Sequence, residues 1–288
     1  GLVSYHNKKW ALYTRKLNNL PSDDIFDVVA DPSTGNVWIG TSRGVAMFDG
    51  KLMTQFLPDI PVRALTLDKI GRCWVATKNE GVHLIDGARV MKYSTKEGML
   101  VSDEGYAITC DAFNTIWTGH QLGVQTFLDE TIGNRIAPYF LTEAQKAFWS
   151  NDNNRARLYY NHVINRSYLT ATPEAATALI GLGELYEREN MTERAADTYL
   201  RFTERFPQDA RTKNLLLKSA QLQSQIKKYT ESAATYQKFL NLYKDDADGF
   251  AIAWARYELL ELAGDSVNAL QTMQNLNTQF PSNPRADE

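Results

Sequence analysis

Residues 20–130 carry short runs of alternating apolar and polar positions, rich in β-branched and aromatic side chains and cut by Asp, Gly and Asn. Positions 26–30 and Val62–Leu67 show this period of two, which predicts half-buried strands. After each run comes an Asp-containing turn, then a strand with a tryptophan, then a glycine. The turn at Asp31 leads to Trp38 and Gly44, that at Asp68 to Trp74 and Gly81, and that at Asp111 to Trp117 and Gly123. An aspartate accepts backbone N–H groups in a tight turn, and Gly or Asn tolerates positive φ. The tryptophans are the large packing residues of the strand that follows, so all three are expected to be buried equivalents. Asp49-Gly50 and Asp86-Gly87 predict two-residue hairpins into further strands at 51–56 and 90–93.

Each unit therefore reads as four strands in about 40 residues, the proportions of a propeller blade. The glycines at 44, 81 and 123 lie 37 and 42 residues apart, and Gly1 lies 43 before Gly44. Gly1-Leu2-Val3-Ser4-Tyr5 aligns with Gly44-Val45-Ala46-Met47-Phe48, with His6-Asn7 at the hairpin position. The chain thus opens inside a unit. Three complete units and a fragment are too few for a ring of about 4–8 blades, so further blades are expected before Gly1.

From Ile132-Gly133-Asn134 onward the period becomes helical, with Pro138 expected at the joint. Leu182-Gly183, Leu185-Tyr186, Ala195, Tyr199, Phe202 and Phe206-Pro207 return 37 residues later as Ala220, Leu222, Ser232, Tyr236, Phe239 and Tyr243. They return again as Tyr257, Leu259, Ala269, Met273, Leu276 and Phe280-Pro281, and Ala144, Ala147, Ala156 and Tyr160 form a degenerate earlier copy. Small residues at such positions let paired helices approach while aromatics fill the gaps.

Two family resemblances rest on these residues. Leu20-Pro21-Ser22-Asp23-Asp24-Ile25, with the following Asp, Gly-x-x-Trp-Ile-Gly-Thr and Gly-Val steps, resembles the two-component-regulator propeller repeats over residues 1 to 130. That resemblance implies a bacterial extracytoplasmic sensor. The Asp-to-Trp hairpin is also similar to the Asp-box of sialidases, but the serine and spacing differ and no arginine cluster accompanies it. Residues 140–285 resemble tetratricopeptide repeats, with Lys244 in place of the terminal proline in the middle copy and Tyr257 in place of a small residue in the last. The 37-residue period is similar to that of envelope-associated bacterial members. The last residues, 283–288, stand where another helix would begin.

Composition changes this picture little. With 43 % hydrophobic and 23 % charged residues and a net charge of −3, the chain has no nucleic-acid footprint. Its longest apolar runs, such as Leu179-Ile180-Gly181-Leu182, fall far short of the roughly 20 residues of a membrane span. Cys73 and Cys110 occupy different places in their units, which argues against a planned disulfide and for small buried side chains.

Candidate chemistry is sparse. His6, His83, His120 and His162 make no metal-spaced pair with one another or with cysteine. His120 follows a tryptophan strand, where propellers present ligand-facing groups, although bonding to backbone is the simpler expectation. Asp31, Asp68 and Asp111 recur with the repeat, so turn structure explains them. Asp23-Asp24 and Asp245-Asp246 read as solvated turns, since calcium would need more oxygen ligands. No cofactor, metal or catalytic set is expected.

One surface stands out. In stacked helix pairs the first helix of each pair lines a groove, and the repeat frame puts Glu184, Glu187, Arg188, Gln221, Gln225, Trp254, Glu258 and Glu261 on or near it. The lining is polar and acidic with one large aromatic. It suits a protein or peptide partner anchored at Trp254 and disfavours a polyanion.

These readings together give a multidomain β + α chain: a partial β-propeller at 1–132, then a tetratricopeptide-like α-helical solenoid at 133–288. The expected role is a non-enzymatic interaction scaffold or ligand-sensing module of a bacterial cell-envelope assembly, in the periplasm or elsewhere outside the cytoplasm. The propeller face could take a glycan or other ligand. The alternative is a glycan-recognising propeller belonging to a polysaccharide-processing enzyme or sensor whose active domain lies outside this chain.

Overall fold

The Asp–Trp–Gly units fold into small antiparallel sheets whose strands follow one another in sequence order. The computed structural model describes residues 1–170, 172–244 and 246–279. Strands β1 (Leu2–His6) and β2 (Lys9–Tyr13) pair as a hairpin, followed by a short helix α1 (Arg15–Asn18). The second sheet holds β3 (Ile25–Ala30), β4 (Val37–Thr41), β5 (Gly44–Phe48) and β6 (Met53–Phe56). The third holds β7 (Val62–Leu67), β8 (Cys73–Thr77), β9 (Val82–Asp86) and β10 (Arg89–Tyr93). The fourth holds β11 (Gly105–Cys110), β12 (Ile116–His120) and β13 (Gly123–Phe127).

The repeat extends to register. Val29 faces Trp38, Thr66 faces Trp74 and Thr109 faces Trp117, and the first strand of each of these sheets carries a bulge at the same place. One face of each sheet packs on the opposite face of the next. Trp38 and Val45 meet Val62, Leu65 and Ile85, while Trp74 and Leu84 meet Ile108 and Ile116. Gly44 and Gly81, the glycines after the first two tryptophan strands, are close-approach positions, whereas a Cβ at Gly123 would meet nothing within 4 Å. At Gly81, with φ of +77°, a Cβ would lie 2.2 Å from the Tyr93 carbonyl oxygen, a backbone clash that nothing nearby can relieve.

Two sequence expectations need correction. Trp38 and Trp74 are buried at 6 % and 1 % exposure, but Trp117 is 43 % exposed. Ile116 points toward the third sheet, so its neighbour Trp117 points away, and among the described residues no sheet covers that side. The last unit also has three strands instead of four. Gly50 and Gly87 supply the positive φ of the two earlier hairpins, whereas Phe127 leads into Leu128-Asp129-Glu130. Asp129 instead accepts the Thr131 N–H at 3.1 Å and caps a 3₁₀ turn at Glu130–Ile132, which sends the chain into a helix.

That helix is α2 (Gly133–Trp149), and Pro138 lies inside it. Then come α3 (Asn153–Asn165), α4 (Pro173–Arg188), α5 (Thr192–Arg205), α6 (Thr212–Gln225), α7 (Tyr229–Leu242), α8 (Gly249–Leu262) and α9 (Ser266–Gln279). Contacts divide the chain into a β unit, Gly1–Ile136, and a helical unit from Ala137 onward, with the division inside α2. From α3 to α9 each helix packs on the next. The repeat positions are the packing positions: Leu185, Leu222 and Leu259 are buried, as are Ala195, Ser232 and Ala269, and Phe202, Phe239 and Leu276. The Phe280-Pro281 landmark lies outside the described residues, as does Asp245.

Close approach between α4 and α5 depends on Gly183. A Cβ there would stand 2.3 Å from the Tyr199 ring, and Tyr199 is fully buried. Gly183→Ala should therefore destabilise the helical unit by about 1–3 kcal/mol through overpacking, read as a lower urea midpoint of helical circular dichroism. Ala220 occupies the same repeat position in α6. Ala220→Gly should instead leave a small void and cost about 1 kcal/mol.

Candidate functional site

The candidate groove residues come from α4, α6 and α8. Their equivalence is the 37-residue period, one helix pair with its connections, which returns each side chain to the same place on the first helix of its pair. Glu184, Gln221 and Glu258 are all exposed, one on each of these helices. Gln225 and Glu261 are exposed as well.

Trp254 is half-buried in an aromatic row, 6.3 Å from the Phe250 ring and 5.7 Å from that of Tyr257. Its indole N–H donates to Glu258 Oε1 at 3.0 Å. The bond orients the ring and leaves part of the indole open, the combination expected of an aromatic anchor.

Glu187 and Arg188 are already engaged within the helical unit. Glu187 accepts from the Tyr199 hydroxyl and pairs with Lys218 Nζ at 2.6 Å. Arg188 donates to the Phe148 carbonyl at 2.7 Å and to Asn151 and Asn153, with its guanidinium 3.9 Å from the Phe148 ring centroid. It ties the end of α4 to the α2–α3 connection. Partial burial, reinforced by the Glu187 charge and opposed by Lys218, moves the Glu184 carboxyl above the usual carboxylate range. Lys218 and Tyr199 were not among the sequence candidates, because a charge pair bridging α4 and α6 leaves no trace in either helix alone.

In the β unit, the repeated aspartates hold turns. Asp68 Oδ1 accepts the N–H groups of Ile70 and Arg72 at 3.1 and 2.9 Å, and Asp111 Oδ1 those of Phe113 and Thr115 at 2.8 and 2.9 Å. The turn also fixes the tryptophan: the indole N–H donates to Asp68 in Trp74 (3.3 Å) and to Asp111 in Trp117 (3.0 Å). His120 is 7 % exposed at the end of β12. Its Nδ1 faces the Glu104 carbonyl at 3.2 Å, which leaves Nε2 to accept from the Thr118 hydroxyl at 2.8 Å. The histidine is a bonded part of the sheet. Cys73 and Cys110 are free thiols, and burial raises both, Cys110 to about 11. Among the described residues no group of three or more His, Cys, Asp or Glu is gathered as a metal site, and no helix is long and apolar enough to cross a membrane.

Residues 131–288 match the family model of the soluble NSF attachment protein, SNAP. The chain belongs to the SNAP family. Its helical half is accordingly a tetratricopeptide-like repeat array. No curated protein matches the sequence. Among solved structures, this SNAP-family chain is similar to PorZ of Porphyromonas gingivalis, described as an essential bacterial surface component of the type-IX secretion system. Identity is 18 % and the TM-score 0.33, over 37 % of this chain. The chain spans 18 % of the length of that structure. It is also similar to YrrB, a TPR protein with an unusual peptide-binding site, at 18 % identity and a TM-score of 0.32, over 49 % of this chain and 68 % of that one. BtubC from P. vanneervenii gives 16 % identity and a TM-score of 0.36, over 55 % and 70 % of the two chains.

Proposed function

We propose that this chain is a non-enzymatic interaction scaffold whose helical unit holds a peptide or protein segment along α4, α6 and α8. The observation that carries this reading is the row Glu184–Gln221–Glu258, exposed at one repeat position on alternate helices and ending beside a half-buried Trp254. Repeat arrays offer long rigid surfaces without a reactive centre. The partner is an extended or helical segment with basic groups for the glutamates and an apolar group for the indole. The β unit is part of a propeller, a reading supported by the repeated register and the face-to-face stacking of its sheets. The resemblance of its units to bacterial sensor propellers supports a place in the cell envelope, outside the cytoplasm.

Rim carboxylates of this kind tune association rate and salt dependence, while a desolvated aromatic supplies most of the affinity. Trp254→Ala should weaken binding of the captured segment by about 2 kcal/mol, and Glu258→Gln should act weakly and fade at high salt. The test places a photo-crosslinking residue at Gln221, and separately at the exposed Lys227 of the α6–α7 connection. Crosslinks from 221 identify the partner for titration against the variants. Crosslinks from 227 alone, or unchanged affinity in Trp254→Ala, would sink the groove.

A further inference from the structure

Between the sheets β3–β6 and β7–β10 lies a cavity of about 530 Å³, bordered by Asp31, Asn36, Trp38, Phe56 and Ile85. The next interface in the β unit shows what the repeat ordinarily puts there. Trp74, Tyr93 and Phe127 form an aromatic cluster, with Phe127 centred 6.2 Å from Trp74 and 5.4 Å from Tyr93. The Arg72 guanidinium lies 5.8 Å from the Trp74 ring centroid and bonds Asp68 at 2.6 Å.

Each of these groups has a counterpart at the cavity. Trp38 and Phe56, 5.6 Å apart, correspond to Trp74 and Tyr93, since Phe56 pairs with Val45 as Tyr93 pairs with Val82. Ile85 corresponds to Phe127: the two pair with Cys73 and Ile116, the residues preceding Trp74 and Trp117. Asn36 corresponds to Arg72, two residues before its tryptophan. A ring has become an isoleucine and a guanidinium an amide, so the cavity lacks one aromatic ring and one cation.

The polar groups agree with this. Asp68 has its arginine, but Asp31 is 94 % buried by its 6 % exposure and, among the described residues, no Lys or Arg pairs with it. Its carboxylate is held by the Ser33 and Thr34 hydroxyls at 2.6 and 2.7 Å and by the Ser33 N–H. Burial opposes ionisation, and these hydrogen bonds outweigh it, so the group lies below the usual carboxylate range. The other charges at the rim are already neutralised: Asp86 by Arg135, and Arg72 by Asp68 and Asp129. The Trp38 indole N–H, unlike those of Trp74 and Trp117, has no acceptor among the described residues. A buried anion without a cation and an indole donor without an acceptor border the same space.

We propose that this cavity binds a small ligand made of a flat aromatic ring and a cationic, hydrogen-bonding head. The ring would pack on Trp38 and against Phe56 as Phe127 packs on Trp74 and against Tyr93, and the head would meet Asp31 as Arg72 meets Asp68. The site is separate from the helical groove and independent of its function.

Benzamidine joins the two missing groups and is the probe. Titrated into the full chain, it should shift the Trp38 indole N–H resonance saturably, assigned by its loss in Trp38→Phe. A charge-assisted hydrogen bond in a desolvated site corresponds to about tenfold or more in affinity. Benzamidine should therefore bind at least that much more tightly than benzyl alcohol, which keeps the ring, or acetamidine, which keeps the head. Ile85→Phe copies the filled interface and should abolish the shift while preserving the sheet spectrum. Absence of a saturable shift, equal affinity for the three probes, or undiminished binding to a folded Ile85→Phe protein would each overturn the proposal.

Discussion

Trp74→Ala should destabilise the β unit by about 3–5 kcal/mol, the usual cost of truncating a fully buried aromatic, while Trp117→Ala should cost under about 1 kcal/mol. Trp74 is 1 % exposed and packs against two aromatic rings, Tyr93 at 5.5 Å and Phe127 at 6.2 Å. Its removal opens a void between the third and fourth sheets that backbone on both sides prevents from collapsing. It also deprives the buried Asp68 carboxylate of a donor. Trp117 makes the equivalent bond to Asp111, yet 43 % of its surface is exposed, so alanine there removes little buried area. Urea unfolding followed by the remaining tryptophan fluorescence checks the pair. Equal losses would mean that the Trp117 face is covered in solution.

His83 should make the β unit acid-sensitive between about pH 6.5 and pH 4. It lies on β9, 3 % exposed, beside Lys92 across the strand pair, and its Nδ1 has no hydrogen-bond partner. Burial is the main cause that lowers its pKa to about 4, Lys92 adds to it, and Glu80 and Glu97 oppose it. In the unfolded chain the ring titrates near 6.5, so in this window the unfolded state binds more protons and stability falls as pH drops. The contribution is complete above about pH 6.5 and lost as pH falls through 4, amounting to about 3 kcal/mol. Carboxylates whose pKa is lowered, such as Asp31 and Asp111, lose their contribution only as pH falls below their unfolded values near 4. The difference between the wild type and a His83 variant from about pH 7.5 to about pH 4.5 therefore reads the histidine's share. His83→Leu should flatten the profile over that range. Parallel profiles for the two proteins would rule out His83 as the cause.

Much of the architecture was legible in the residues. The Asp turn, the tryptophan strand and the following glycine are local features, each acting within a few residues of backbone, and the strands formed where the period of two placed them. The helical half was legible for a similar reason. A small residue at 183 or 195 and an aromatic at 199 or 202 say which side of a helix meets its neighbour, and 37-residue recurrence says that the neighbour is alike. The row Glu184, Gln221 and Glu258 could be named from that recurrence, and each of the three is exposed.

Burial and pairing were decided by tertiary structure, because they depend on what stands across an interface and not on the residue's own place in its unit. Trp74 and Trp117 share one repeat position, but only Trp74 has the next sheet against it. Glu187 and Arg188 have the composition of groove residues, yet Tyr199, Lys218 and the α2–α3 connection bind them. The cavity beside Trp38 arises from two substitutions on different sheets, Asn36 for Arg72 and Ile85 for Phe127, neither unusual alone. The sequence determined which positions correspond; the packing of one unit on the next determined which corresponding positions are filled, because burial is a property of pairs of surfaces and repetition specifies only one surface at a time.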